Sequence, residues 1–139
     1  MSANELLMKT VIEAWGKADL SPARAALHDD VVWKSASTRQ NEKFLFGGEY
    51  RGRAAVIALL SKISTAYYFQ SYTAKEIISR GEIVWGLFDA IGTYAPNHDK
   101  TGRPIHFETV FRWRVRDGMI IEAQTFFDTA LLLSQQGDL

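Results

Sequence analysis

Residues 104–128 read PIHFETVFRWRVRDGMIIEAQTFFD, and this stretch decides the fold. Two runs rich in β-branched and aromatic residues flank Asp117-Gly118, a pattern that predicts an antiparallel β-hairpin. With a three-residue loop from Arg116 to Gly118, Val115 pairs with Met119, and alternation then places one mostly apolar set on a single inward face. A two-residue loop would mix apolar and charged residues on each face, so we predict the three-residue loop. The predicted inward set is Phe107, Thr109, Phe111, Trp113, Val115, Ile121, Ala123, Thr125 and Phe127.

The opposite face of this hairpin combines charged residues with an apolar centre. Arg112 is predicted to lie directly opposite Glu122, as a cross-strand pair of opposite charge. The apolar centre consists of Val110, Ile120 and Phe126. Apolar residues surrounded by arginines and acids suit a self-complementary two-fold interface, so we predict a homodimer packed through the sheet. The alternative is a solvated face with scattered apolar residues.

Elsewhere in the chain, helices predominate in the first half and strands in the second, and a short helix follows the last strand. Ser2 and Glu5 have capping-box spacing ahead of a first helix. Helical spacing predicts a further helix over 53–67, and N-caps at Ser21 and Asp128 predict short helices over 21–27 and 130–135. A short strand is expected over 31–35, followed by a surface loop over 38–43 that forms part of a pocket rim. Four antiparallel strands are predicted near 71–80, 82–95, 104–116 and 119–128.

Composition narrows the class of protein. The chain has 139 residues, of which 47% are hydrophobic and 12% aromatic, as expected for a single domain spanning 1–139. Sixteen basic and sixteen acidic residues cancel, so no net field attracts nucleic acid or an anionic membrane surface. The sequence lacks cysteine, a signal-peptide pattern and an apolar run long enough to span a membrane, so a cytoplasmic location is predicted.

Four local patterns occur in the order and with the gaps of one protein family. They are the stretches 13–20 (EAWGKADL), 28–33 (HDDVVW), 50–56 (YRGRAAV) and 113–128. Over nearly its whole length the chain resembles the SnoaL-like branch of the nuclear-transport-factor-2-like superfamily. The resemblance implies an α+β fold, in which a curved antiparallel sheet wraps around helices to form a cone with an apolar pocket. It does not imply one function, because the family includes isomerases, cyclases, epoxide hydrolases, binding modules and transport factors.

The resemblance also allows catalytic positions to be compared one at a time. In steroid isomerases of this fold, a tyrosine on the first helix and an acid on the sheet form an oxyanion hole, and an aspartate after the short strand is the base. The matching positions in this chain are Val11, Phe111 and Ser35. Valine and phenylalanine cannot donate the required hydrogen bonds, and an ordinary serine cannot shuttle the proton. Steroid isomerisation is therefore not expected, and the acidic sets of the related cyclases and limonene epoxide hydrolases are not found either.

Asp89 is the candidate catalytic residue, because it interrupts the apolar run 84–94, where an unpaired charge would be costly. It could act as a tuned acid or base. The alternative, which we favour, places Asp89 in a salt bridge on the outer face of the sheet. His106 and Glu108 lie two residues apart and could suggest a proton relay, but the predicted register points both outward.

Binding of a small apolar molecule is the function that we favour, held by burial with one or two hydroxyl contacts. Two other classes remain open: an isomerase, cyclase or hydratase acting on a small carbonyl compound, and an interaction module whose sheet builds an oligomer. His28, His98 and His106 are scattered without metal-binding spacing, so neither a metal nor another cofactor is predicted. The predicted ligand-binding residues are Trp33, Ser35, Phe111, Thr125 and Phe127.

Overall fold

The computed structural model describes residues 1–37, 47–96 and 102–138. The helices are α1 (Ala3–Gly16), α2 (Ser21–Ala26), α3 (Arg53–Ala66) and α4 (Thr129–Gln136), and the strands are β1 (Leu27–Lys34), β2 (Glu49–Arg51), β3 (Tyr67–Arg80), β4 (Ile83–Tyr94), β5 (Arg103–Arg116) and β6 (Met119–Phe127). The strands form one curled sheet in the order β2-β1-β6-β5-β4-β3. β1 runs parallel to β6, and the other neighbouring strands are antiparallel. The predicted α+β class is confirmed.

The inner face of the sheet is the one that carries the buried residues of β4, β5 and β6. α1 packs on β3, and α3 packs on β1. α1 approaches β3 so closely at Gly16 that a Cβ atom there would lie 2.4 Å from the Cβ atom of Tyr72. Only glycine permits this approach, which holds Tyr72 against the last turn of α1.

The helix caps follow the predictions at two ends and differ at a third. The Ser2 hydroxyl accepts a hydrogen bond from the Glu5 amide at 3.2 Å, and Asp128 Oδ1 accepts one from the Leu131 amide at 2.9 Å. The predicted N-cap at Ser21 is wrong by one position, because Leu20 is the N-cap and forms no side-chain capping bond. The Ser21 amide instead donates a hydrogen bond to Asp19 Oδ1 at 3.0 Å. An upstream carboxylate thus provides an acceptor for a backbone N–H group at the start of this short helix.

The final hairpin turns through two residues, which corrects the predicted three-residue loop. Arg116 pairs with Met119, and both loop residues have positive φ, 52° at Asp117 and 75° at Gly118. This combination is typical of a tight type I′ turn. The register then shifts between Arg114 and Val115, which leaves one extra residue in β6. That β-bulge restores the alternation that a two-residue loop would otherwise reverse.

Despite this change of register, most residues of the hairpin lie on the predicted face of the sheet. Phe111 lies directly opposite Thr125, and the odd-numbered residues of β5 from 105 to 115 are buried. Ile121 was predicted to face inward, but Ile120 is the fully buried residue and Ile121 lies at the bulge. Glu122 was predicted to face Arg112 and instead faces Arg114.

β1 and β3 begin earlier than the sequence indicated, whereas β4 spans 83–94, close to the predicted 82–95. β3 begins at Tyr67, directly after α3, and contains register shifts between Phe69 and Ser71 and between Ala74 and Glu76. The short strand β2 was not predicted. The four strands β3 to β6 are antiparallel, as expected. Of the helices that the structure describes, none combines the length and the hydropathy needed to cross a bilayer.

Candidate functional site

Three aromatic rings form the centre of the inner face. The Trp33 ring lies 6.5 Å from that of Phe111 and 6.4 Å from that of Trp113, and all three side chains are buried. Their backbone positions explain the contact, because Ala123 of β6 lies directly between Trp33 of β1 and Trp113 of β5. The small Ala123 side chain leaves the two indoles free to meet above it.

The other predicted ligand-binding residues lie around this centre. Thr125 pairs with Phe111 across β6 and β5, and Ser35 directly follows the last residue of β1. Phe127 ends β6, where it faces Thr109, and its ring lies 5.5 Å from that of Phe107. The structure thus places the Phe111 and Phe127 side chains on the same inner face. The loop predicted over 38–43 as a pocket rim lies outside the described residues, as does His98.

A buried hydroxyl pair on the inner face was missed by the sequence analysis. The Tyr72 hydroxyl and Thr109 Oγ1 lie 2.7 Å apart within hydrogen-bond distance. Both side chains are buried, and the Tyr72 ring lies 4.9 Å from Phe69 and 6.4 Å from Phe111. Burial raises the pKa of Tyr72 well above its ordinary value, and the hydrogen bond with Thr109 opposes that rise. Tyr72 therefore stays neutral and keeps its proton at physiological pH.

The indole of Trp113 presents an unused hydrogen-bond donor. Its Nε1 atom is buried and has no hydrogen-bond partner. By contrast, Trp15 Nε1 donates to the Leu60 carbonyl oxygen at 3.1 Å. Buried tryptophan N–H groups ordinarily find such a partner.

Charged side chains are kept out of this interior. Among the described residues, the buried polar side chains are Ser35, Thr109, Thr125 and Gln136, and no Asp, Glu, His, Lys or Arg is buried. The same ranges contain no group of acidic or histidine side chains positioned to share a metal ion. The described interior thus offers hydroxyl, amide and indole groups, which can donate hydrogen bonds but cannot readily accept a proton.

Asp89 lies on the outer face of the sheet and not in the interior. It is opposite Thr73 on β3 and Glu108 on β5, and its Oδ1 atom lies 2.9 Å from His106 Nε2. Glu108 in turn pairs with Lys75 at 3.0 Å. The hypothesis of an acid or base inside the pocket therefore does not hold for Asp89, because strand alternation turns its side chain away.

A family model for the SnoaL-like domain matches residues 8–123. The chain belongs to the SnoaL-like family. Its fold is shared with an NTF2-like protein of unknown function from Burkholderia pseudomallei, which is 26% identical over 98% of both chains with a TM-score of 0.78. No curated protein matches this SnoaL-like chain.

Two further solved structures show the same fold at lower identity. IdmH from Streptomyces antibioticus, a candidate polyketide cyclase, is 24% identical over 98% of this chain and 99% of that chain, with a TM-score of 0.78. An LEH-like epoxide hydrolase from M. tuberculosis is 20% identical over 96% of this chain and 88% of that chain, with a TM-score of 0.70. At these identities the likeness concerns the fold alone.

The outer face of this SnoaL-like protein carries an exposed aromatic pair. Trp85 and Phe126 are 40% and 41% exposed, and their rings stack at 6.3 Å with 19° between their planes. Val110 lies opposite both Leu87 and Phe126, which extends the apolar surface. Ile120 was predicted to belong to this surface, but it is fully buried in the core because of the bulge beside it.

Arginines flank this outer surface and are already paired with acids. Arg114 contacts Glu122 at 3.2 Å and Glu82 at 3.3 Å, while Arg116 contacts Glu82 at 2.8 Å. Arg112 reaches Glu122 diagonally at 3.6 Å. The hydrogen bond from Arg116 is the largest influence that holds the pKa of Glu82 below its ordinary value. The three arginines are thus largely compensated by Glu82 and Glu122 and do not form an isolated basic patch.

A surface cleft of about 710 Å³ lies beside the start of α3, away from the predicted ligand-binding residues. Arg24, Arg51 and Arg53 line it. Arg53 pairs with Asp29, and Arg51 pairs with Glu49 at 3.4 Å. Because two of its three arginines are paired, the cleft has little excess charge with which to hold an anion.

Proposed function

We propose that this SnoaL-like protein binds a small, neutral, mainly apolar molecule against the inner face of its sheet. The observation that carries the proposal is the combination of a buried aromatic centre with a few buried hydroxyl groups and no buried charge among the described residues. Apolar burial would supply most of the affinity, and a few polar contacts would orient the molecule. The ligand-binding residues in this proposal are Trp33, Ser35, Phe111, Thr125 and Phe127.

Binding without turnover is the reading that the inner face supports best. Proton transfer at a carbonyl compound needs a group that accepts a proton near neutral pH. The hydroxyls of Ser35, Thr109 and Thr125 do not meet that requirement unless a neighbouring base activates them. Charged ligands are also disfavoured. A carboxylate would lose its hydration among aromatic rings, and no buried cation among the described residues would balance its charge.

Catalysis on a small carbonyl compound is the second candidate, and the Tyr72–Thr109 pair favours it. A neutral tyrosine hydrogen-bonded to a threonine at 2.7 Å can polarise a carbonyl oxygen without itself losing a proton. An isomerase, cyclase or hydratase would use that polarisation together with a base. Sustained conversion of a bound ketone would favour this candidate over simple binding.

The proposed function can be tested with 2-acetylnaphthalene, a neutral aromatic ketone, by isothermal titration calorimetry. Phe111→Leu should weaken binding roughly 3- to 10-fold, since about 1 kcal/mol of apolar contact is removed. Phe126→Leu is the matched control, because it makes the same change on the outer face of the same hairpin. Absence of binding by the wild type, or an equal loss in both variants, would contradict the proposal.

We also infer that the outer face packs against a second copy of the chain. Its support is the exposed Trp85–Phe126 stack, which lies within a network of paired charges. An apolar centre with a polar, hydrogen-bonding rim is the usual anatomy of a protein interface.

A further inference from the structure

The Trp113 indole N–H is a candidate ligand contact outside the predicted set. Trp113 is fully buried, and its Nε1 atom has no partner. Its ring nevertheless packs well, within 6.4 Å of Trp33 and 6.5 Å of Phe111. A phenylalanine at this position would supply an aromatic ring without leaving a buried donor unpaired.

Two of the other three tryptophans, Trp15 and Trp85, do not carry a buried, unpaired indole N–H group. Trp15 donates to a backbone carbonyl within the core, and Trp85 is exposed to solvent on the outer face. Trp113 alone among these three combines full burial with an unused N–H group. A buried N–H group without an acceptor destabilises the free protein. A bound molecule that supplies an acceptor removes this cost, so the N–H group then favours binding.

We propose that Trp113 Nε1 donates a hydrogen bond to an acceptor oxygen of the bound molecule. This inference rests on the proposed function and narrows it to neutral ketones, esters or ethers that place their oxygen beside the Trp33–Phe111–Trp113 centre. A plain hydrocarbon would leave the donor unpaired. A carboxylate would bring a charge that no buried cation among the described residues balances.

The experiment is an NMR titration of protein labelled with nitrogen-15 in its indole groups. Acetophenone and ethylbenzene serve as probes, because they share a ring and a two-carbon substituent and differ in the carbonyl group. Phe substitutions at Trp15, Trp33 and Trp85, one at a time, identify the Trp113 signal by elimination. The assignment therefore does not depend on whether a variant at 113 folds.

Acetophenone should move the Trp113 indole proton downfield, and ethylbenzene should not produce that shift. The Trp15 signal, which already has an acceptor, and the Trp85 signal on the outer face are internal controls. The wild type should bind the ketone roughly 2- to 10-fold more tightly than the hydrocarbon. This ratio corresponds to the net free energy of one neutral hydrogen bond. Trp113→Phe should abolish that preference.

Two other results would overturn the inference in distinguishable ways. If both probes shift the Trp33 signal and bind equally well, with no downfield shift at Trp113, the inner face binds ligands but the indole is not a contact. If neither probe perturbs Trp33 or Trp113 up to its solubility limit, the proposed function fails as well.

Discussion

Three side chains limit the chemistry of the inner face. Val11 is buried on α1, Ser35 follows β1 and Phe111 lies in the middle of β5. These are the positions at which the resemblance to steroid isomerases calls for an oxyanion-hole tyrosine, a catalytic base and a second acid. None of the three present here can perform the matching role, so the shared fold encloses a different set of functional groups.

Steroid isomerase activity should accordingly be negligible. The test is to incubate the protein with a Δ5-3-ketosteroid and follow the conjugated enone by its absorbance. The expected rate equals that of buffer alone, because no residue at these positions can form the dienolate and stabilise it. Turnover well above background that Ser35→Ala abolishes would show the comparison of positions to be wrong.

The Tyr72–Thr109 hydrogen bond should contribute measurably to stability. Tyr72→Phe leaves the Thr109 hydroxyl buried without its partner, which should cost about 1–3 kcal/mol of the free energy of unfolding. Urea denaturation with an unchanged slope would measure this loss.

The matched control is a double-mutant cycle with Thr109→Val. Removing both partners should cost less than the sum of the two single changes, with a coupling energy of about 1 kcal/mol. Strictly additive losses would indicate that the two hydroxyls do not bond to each other in solution.

Among the elements, the β5–β6 hairpin shows most clearly what the sequence could and could not predict. The alternation of apolar residues predicted the hairpin and identified the residues of β5 that face inward. The turn was mispredicted because a regular two-residue loop reverses the faces of β6, and the pattern gave no sign of the compensating bulge. Ile120 and Ile121 are identical in type, so hydrophobicity alone cannot tell which of them faces the core.

The turn itself offers a test of this geometry. Gly118 has a φ of 75°, and no heavy atom would lie within 4 Å of an added Cβ, so the cost of a side chain there is purely conformational. Gly118→Ala should destabilise the protein by about 1 kcal/mol in thermal or urea unfolding. Gly118→Asn should cost less, because asparagine tolerates the left-handed region. Equal effects would contradict the observed turn.

The missed hydroxyl pair has a similar physical origin. Tyr72 lies on β3 between two register shifts, one after Phe69 and one after Ala74. Each shift interrupts the two-residue alternation by which a strand face is read from sequence. Thr109 was correctly placed on the inner face, but its partner could not be identified without the path of β3. The unpaired state of Trp113 likewise depends on atomic packing that residue types do not encode.

For the molecule as a whole, the family and the α+β class were predictable because several short patterns agreed in order and spacing. The direction in which Asp89 faces was not decided by composition, since a carboxylate within an apolar run suits either face. The parallel pairing of β1 with β6 was also not predicted, because the pattern of a single strand carries no information about its neighbour.

Assembly is the whole-molecule property that most needs a measurement. Phe126→Glu should convert a sheet-mediated dimer to a monomer, because it places a charge at the centre of the apolar surface. Leu131→Glu is the matched control, since Leu131 is also 41% exposed but belongs to α4 and not to a strand of the sheet. Light scattering at several concentrations would report the masses. A wild type that remains monomeric at high concentration would rule out the dimer.

The pairing of β1 with β6 has a consequence for how the nascent chain folds. Leu27–Lys34 is synthesised well before Met119–Phe127, its neighbour in the centre of the sheet. Contacts so distant in sequence form slowly and leave apolar strands exposed until β6 emerges. Translation that stops before β6 would therefore release a polypeptide with unpaired strand edges, the kind of species that chaperones retain and proteases remove.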